Sequence, residues 1–433
     1  MSKVAVVGAG LAGCEAAWAL AQAGVQVTLC EMKPAAYSPA HSHPGFAELV
    51  CSNSLKAMRL ESAAGLLKEE MRLMGSLLLQ CAEKTAVSAG GALAVDRAAF
   101  SDMVTEKVCA HPNIRVAQQQ VDEIPEGYAI IATGPLTADK LAQSIARRCG
   151  SGYLSFYDAA APIVAFDSID TGKTFFAARY DRGEADYINC PFDKEQYERF
   201  WQALTEAEQA PLHEFDARPT VYEGCMPVEA MARRGMDTLR FGPLRPVGLR
   251  DPKTGQRPWA VVQLRRENAA GSLYNLVGFQ TNLKFPEQKR VFSMIPGLEN
   301  AEVVRYGVMH RNTFIDSPRL LNSDFSLRAD PQLYFAGQIT GVEGYIESAA
   351  SGIVAGLNLA RRLEGQPPLA LPPNTMIGAL AAYISDPTVT QFQPMGCNMG
   401  LLPAPQPHIK DKRLRYKAMA EAAVAEITSL MKE

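Results

Sequence analysis

Two of the nine cysteines in this 433-residue chain stand out because of the loops that carry them. Cys51 lies in Leu49-Val50-Cys51-Ser52-Asn53-Ser54, and Cys225 in Tyr222-Glu223-Gly224-Cys225-Met226-Pro227. A cysteine is nucleophilic as the thiolate and needs partial exposure, which loops rich in Gly, Pro and Ser provide. Cys14, Cys81 and Cys109 fall in helical patterns and read as buried small hydrophobes, the plain reading for any cysteine. His310, in Met309-His310-Arg311-Asn312-Thr313, is a further candidate, although alone it reads equally as a surface or core histidine. No two cysteines lie within five positions and no HxxxH occurs, so no metal site is expected. An odd cysteine count in a long chain argues for reduced cytosolic thiols over a disulfide framework.

The element best placed to position such groups opens the chain. Val4–Val7 is a short β-branched run, followed by Gly8-Ala9-Gly10-Leu11-Ala12-Gly13, an Ala-rich helical stretch to Gly24, and a strand Val25–Cys30 ending at Glu31. This strand–turn–helix–strand unit carries an acid 18 positions after its last glycine, the setting in which a GxGxxG motif marks a dinucleotide site. Gly8 makes the turn, Gly10 admits a pyrophosphate to the backbone, and Gly13 lets helix pack on strand. The free amides and dipole of the helix N-terminus, including Ala9, Leu11 and Ala12 around the turn, favour the phosphates. Glu31 suits an adenosine ribose without a 2′-phosphate. Leu11-Ala12-Gly13-Cys14 imitates a lipoprotein cleavage box, but glycines interrupt the apolar stretch and Lys3 is its only basic flank, so no leader is expected. No run of about 18 apolar residues suggests a membrane span.

Two later segments point to FAD. An amphipathic helix is expected over Arg97–Ala110, then short strands around Ile114–Val116 and Val121–Ile124, then Tyr128-Ala129-Ile130-Ile131-Ala132-Thr133-Gly134. An apolar strand ending in Ala-Thr-Gly resembles the second signature of the two-dinucleotide-binding flavoproteins. Leu333-Tyr334-Phe335-Ala336-Gly337 is another strand entering a glycine turn, before a helix expected over Glu347–Leu363. Many flavoproteins place Asp after that glycine; Gln338 stands here, which puts a ribityl contact in doubt. The expected fold is α/β: a Rossmann-like FAD-binding domain of the two-dinucleotide-binding flavoprotein type, discontinuous over 1–150 and 325–433, with an inserted α+β domain at 151–324. No second GxGxxG unit occurs, so a nicotinamide reductant would bind transiently.

The net charge of −3 gives no hint of a polyanionic partner, but its distribution does. Arg233 to Arg266 holds nine Lys/Arg against two acids, and Lys410 to Lys417 five against one. Such stripes are either solvated faces or phosphate-binding surfaces, and the dominance of Arg in the first suits phosphate.

Together these residues resemble the bacterial folate- and FAD-dependent tRNA (uracil-5-)-methyltransferases over essentially the whole chain. The specific motifs are Leu49–Leu55, Gly90-Gly91-Ala92-Leu93-Ala94-Val95-Asp96-Arg97, Met309–Thr313 and Gly341-Val342-Glu343-Gly344-Tyr345. Larger relatives that modify wobble uridine carry a long C-terminal helical extension for which this chain is too short. The resemblance implies 5-methyluridine formation in the tRNA T-loop. Methylenetetrahydrofolate supplies the carbon, which in this family passes through reduced flavin, and NADPH or NADH is the reductant. It also implies that Cys225 is the nucleophile toward uracil and that Cys51 is a second thiol near the flavin. His310, with Arg311 and Asn312 beside it, would meet the folate pterin. FAD contacts are expected from Gly8 to Gly13, Glu31, Gly134 and Gly337. The expected partners are tRNA and these small molecules, with no DNA, no membrane and a cytoplasmic location. A small-molecule FAD oxidoreductase and a non-catalytic RNA-binding flavoprotein are the competing readings; the first leaves the basic stripe and loop thiols unused, the second predicts no thiol dependence.

Overall fold

The structure, a computed structural model, describes residues 3–150, 153–159, 161–181, 185–210, 226–307, 309–390, 392–407 and 409–432, with backbone alone at 153–159 and 309–312. Its first sheet runs Asp330–Phe335, Ala129–Ile131, Lys3–Val7, Gln26–Glu31, Ile114–Gln118, all parallel, with Ser326–Leu327 antiparallel at the edge. Parallel strands are covered on both faces, which explains the unbroken apolar runs Val4–Val7 and Ala129–Ile131. Val6, Leu29, Ile130, Ile131 and Phe335 have no exposed surface.

The helix Leu11–Gln22 follows the first strand and packs on Tyr345–Leu363, which begins two residues earlier than expected. Small residues set that contact: a Cβ at Gly352 would sit 2.1 Å from the Ala12 carbonyl oxygen, and one at Gly356 2.7 Å from that of Ala16. The helix Arg97–Ala110 has the expected bounds; Asp96 caps it by accepting from the Ala99 amide at 3.1 Å, and Phe100, Val104 and Val108 enter the core. Val121–Ile124 is not a strand, contrary to expectation. Its backbone joins no ladder: Val121 borders the cleft described below, and the Ile124 amide donates to Ser144 Oγ at 3.2 Å before Pro125 turns the chain.

A second, fully antiparallel sheet holds Phe175–Phe176, Tyr187–Phe192, Ala260–Arg266, Leu273–Leu276, Ile163–Ala165 and Val303–Arg305 in that order. It has its own core, centred on Phe192, Tyr197, Phe200, Val262, Leu264 and Phe279. A ribbon of Tyr153–Ala159 paired with Met309–Ile315 runs where the chain leaves and rejoins the first sheet.

Candidate active site

The C-terminal ends of four parallel strands converge on one cleft of about 410 Å3, the place where open α/β sheets bind nucleotides. Gly8 follows the first strand, Glu31 ends the second, and Gly134 and Gly337 follow Ala129–Ile131 and Asp330–Phe335. Ala9, Gly10, Leu11 and Ala12 border the cleft as well. Gly13 does not: it is buried, and a Cβ there would lie 1.8 Å from the Gly8 carbonyl oxygen. At Gly8, φ is +97° and a Cβ would meet the Ala132 oxygen at 2.7 Å. A Cβ at Gly10, by contrast, would meet no protein atom within 4 Å. Two of the three glycines thus serve chain packing, and the third leaves space over the cleft.

That end of the cleft fits a dinucleotide. Neither the helix starting at Leu11 nor the one starting at Tyr345 has a side-chain cap, and both begin at the cleft wall with the positive end of the dipole toward it. Glu31 is buried and accepts from the Ala9 amide at 2.7 Å and the Lys33 amide at 3.0 Å, which fixes the turn and the acid together. Gly337 donates its amide to Ser351 Oγ at 2.7 Å, and Gln338 Nε2 donates to Glu343 Oε2 at 2.8 Å, so Gln338 is held by the protein itself.

Cys51 is half-buried and borders the same cleft, and its loop is held from several elements. The amides of Cys51 and Ser52 donate to the Tyr345 hydroxyl oxygen at 2.8 and 3.1 Å. Arg97 Nη1 donates to the Leu49 and Val50 carbonyls at 2.6 and 3.3 Å. From the second sheet, Arg265 Nη2 donates to Ser52 Oγ at 2.6 Å and its Nε to Asn53 Oδ1 at 2.9 Å. Arg97 also pairs with buried Glu267. Sequence reasoning missed this network. The motifs that contain Arg97 and Tyr345 carry no local sign of this role, and Arg265, which falls in the basic stripe by sequence, is only 8% exposed. That stripe is corrected further by Arg240, which stacks 3.7 Å above the Trp259 ring and pairs with Asp237 at 2.5 Å. Arg233, Arg234, Arg245, Arg250, Lys253 and Arg257 do lie at the surface.

Cys225 lies outside the described residues, as do the side chains of His310, Arg311 and Asn312. The described chain on either side of 211–225 is anchored at one place: the Ala210 amide donates to the Asn282 carbonyl and the Val228 amide to the Gln280 carbonyl, both at 2.7 Å. Gln280 borders the cleft. Three residues beyond His310, Thr313 Oγ1 donates to the Pro135 carbonyl at 3.2 Å, in the turn Gly134–Leu136 that borders it too.

The sheet order and the cleft define the molecule as a flavoprotein of the FAD-binding Rossmann type. Residues 3–367 match the family described as Glucose inhibited division protein A. The chain is 60% identical to the methylenetetrahydrofolate–tRNA-(uracil-5-)-methyltransferase TrmFO of Acetivibrio thermocellus, over 97% of this chain and 96% of that protein. It is 58% identical to the Heliobacterium modesticaldum protein of the same name, over 99% and 98%. The crystal structure of Aquifex aeolicus GidA superposes with a TM-score of 0.71 at 16% identity, covering 99% of this chain and 73% of that one, a likeness of fold. The chain belongs to the Glucose inhibited division protein A family and, within it, to the TrmFO proteins.

Proposed function

We infer that this chain methylates C5 of a uridine in tRNA, with methylenetetrahydrofolate as carbon donor and FAD as cofactor. The observation that carries this reading is the 60% identity, along nearly the whole of both chains, to a protein named for that reaction. C5 of uracil is a weak nucleophile until a thiolate adds to C6 and pushes electron density onto C5. In our assignment the Cys225 sulfur forms that bond, C5 takes up the folate-derived one-carbon unit, C5 loses its proton, and the S–C6 bond breaks. Reduced FAD, when bound, supplies the hydride that converts the transferred methylene to methyl. NADPH or NADH is the reductant we assign. His310, Arg311 and Asn312 are placed with the folate, which the Thr313–Pro135 hydrogen bond beside the cleft supports. We assign Cys225 to the same cleft, a reading supported by the anchor of Val228, three residues on, to Gln280 at the cleft border.

The insertion, 151–324, is taken as the part that meets tRNA and folate. Its exposed cations Arg233, Arg245 and Arg250 suit phosphates, and Phe241, 84% exposed among them, offers a stacking face. A cytoplasmic location goes with a tRNA substrate; no helix among the described residues is long and apolar enough to cross a membrane.

Transcribed tRNA carrying 5-fluorouridine tests the thiol assignment. Fluorine at C5 cannot leave as the proton does, so the wild type is expected to form an adduct that survives denaturation. Cys225→Ala should abolish both adduct and methyl transfer with FAD still bound, whereas Cys51→Ala should slow methylation and leave the adduct. Trapping by Cys225→Ala but not by Cys51→Ala would reverse the two roles.

A further inference from the structure

Beneath the Cys51 loop lies a charge imbalance that the methylation reading does not use. Arg97, at a helix start, pairs with Glu267 and lies within electrostatic reach of Arg265 and of Arg305, which come from two different insertion segments. Three guanidinium groups share one buried carboxylate, Glu267, which is 4% exposed. Nε and Nη2 of Arg305 are fully buried and have no hydrogen-bond partner among the described residues. Enclosed cationic charge without a counter-ion is costly, and the surrounding structure must offset it or shift the protonation of a neighbour. Burial, with Arg97 as the next cause, pulls the Arg305 pKa down to about 10, while Glu267, Tyr345 and the Cys51 sulfur act against that fall. Arg265 is likewise drawn down by burial and held up by Tyr187, Glu267 and Cys51, so both arginines lie within electrostatic reach of the sulfur.

We propose that Cys51 is held as a thiolate and serves as the second counter-ion of the Arg97–Arg265–Arg305 cluster, with Arg305 acting as a positioning residue through charge. The loop geometry supports it. Arg97 grips residues 49 and 50, Arg265 grips 52 and 53, and Cys51 stands between them. The uncapped N-terminus of the helix at Tyr345, whose hydroxyl accepts the Cys51 amide, adds a favourable dipole. Among the described residues, Arg265, Arg305 and Tyr345 act on the sulfur and Arg97, Glu267 and Tyr187 act on those groups in turn, so that cations outnumber the acid there. Loss of the thiol proton to solvent completes the balance. The assignment stands whichever group that sulfur later attacks.

The far-ultraviolet thiolate absorbance of the purified holoenzyme, minus that of Cys51→Ser, gives the titration of this one sulfur. The wild-type inflection is expected well below the ~8.5 of a free thiol. Arg305→Met should raise it by about one pH unit or more, and Arg305→Lys should keep it near the wild type. Glu267→Gln should lower it, because it removes the competing anion. A purely structural role would not produce opposite shifts. A wild-type inflection at or above the free-thiol value overturns the proposal. So does an unchanged or upward inflection in Glu267→Gln, a variant that keeps the test open if Arg305→Met does not fold.

Discussion

The two ends of the cleft are built by different means. The phosphate end is made of backbone: glycines in a turn, helix N-terminal amides, and one acid 18 positions on that binds the turn it follows. The thiol end is made of side chains from segments far apart in sequence, with Arg97, Arg265, Glu267, Arg305 and Tyr345 all surrounding one five-residue stretch, 49–53. A backbone site needs only local conformation and the absence of side chains. This side-chain site is complete only once the two sheets have docked, because the Arg265 bonds to Ser52 and Asn53 come from the second one.

The sharpest way to probe that contrast is inside the glycine turn itself. Gly13→Ala places a methyl 1.8 Å from a backbone oxygen that cannot yield without moving the strand or helix. It should cost on the order of 3 kcal/mol or more of stability, read by denaturant unfolding. Gly10→Val has open space around its Cβ and should cost no more than about 1 kcal/mol, yet leave the protein colourless by blocking the pyrophosphate. A Gly10→Val protein with full FAD occupancy would break the division of labour between the two glycines.

At the other end, Arg265→Met removes the hydrogen bonds to Ser52 and Asn53 and leaves Glu267 with one cation fewer. Stability should fall by about 2–3 kcal/mol and methyl transfer should drop, while the flavin spectrum of the folded protein stays as in the wild type. Loss of flavin from a folded Arg265→Met protein would show that the two ends are not separable.

The smallest effect concerns the seat of the first helix. Glu15 is buried and accepts from the Leu77 and Leu78 amides, each at 3.0 Å, and from Ser76; burial pushes its pKa up to about 7 against those bonds. The folded carboxyl therefore holds its proton more tightly than the unfolded one. Its contribution is fully present below the ordinary glutamate value of 4.5 and is lost as pH rises toward about 7. Glu15→Gln should flatten that decline by about 1–3 kcal/mol, measured by urea unfolding at mildly acidic and mildly basic pH. An unchanged slope would place the pH dependence elsewhere.

The same contrast explains what the sequence could and could not reveal. Gly8 to Glu31 is legible because the whole device lies within one short strand–turn–helix–strand unit. Arg97–Ala110 is legible because Asp96 caps it and its apolar face repeats at helical spacing. Val121–Ile124 misled because two apolar residues around polar ones imitate a strand, whereas no partner strand accepts their hydrogen bonds. Arg265 misled for a different reason. Ala260–Arg266 is buried along almost its entire length, and nothing local says that an arginine in it points at Asn53, more than two hundred positions earlier.

The packing of Leu11–Gln22 against Tyr345–Leu363 bears on the order of events during synthesis. The glycine turn leaves the ribosome more than three hundred residues ahead of the helix that covers it, the Gly337 turn and Tyr345. Chains emerge at ~5–20 residues per second. For tens of seconds the nascent protein therefore carries a phosphate loop with half a nucleotide site, while the intervening sheet already has what it needs to fold. Capture of the yellow cofactor then comes late, as a check that both ends of the same polypeptide have met.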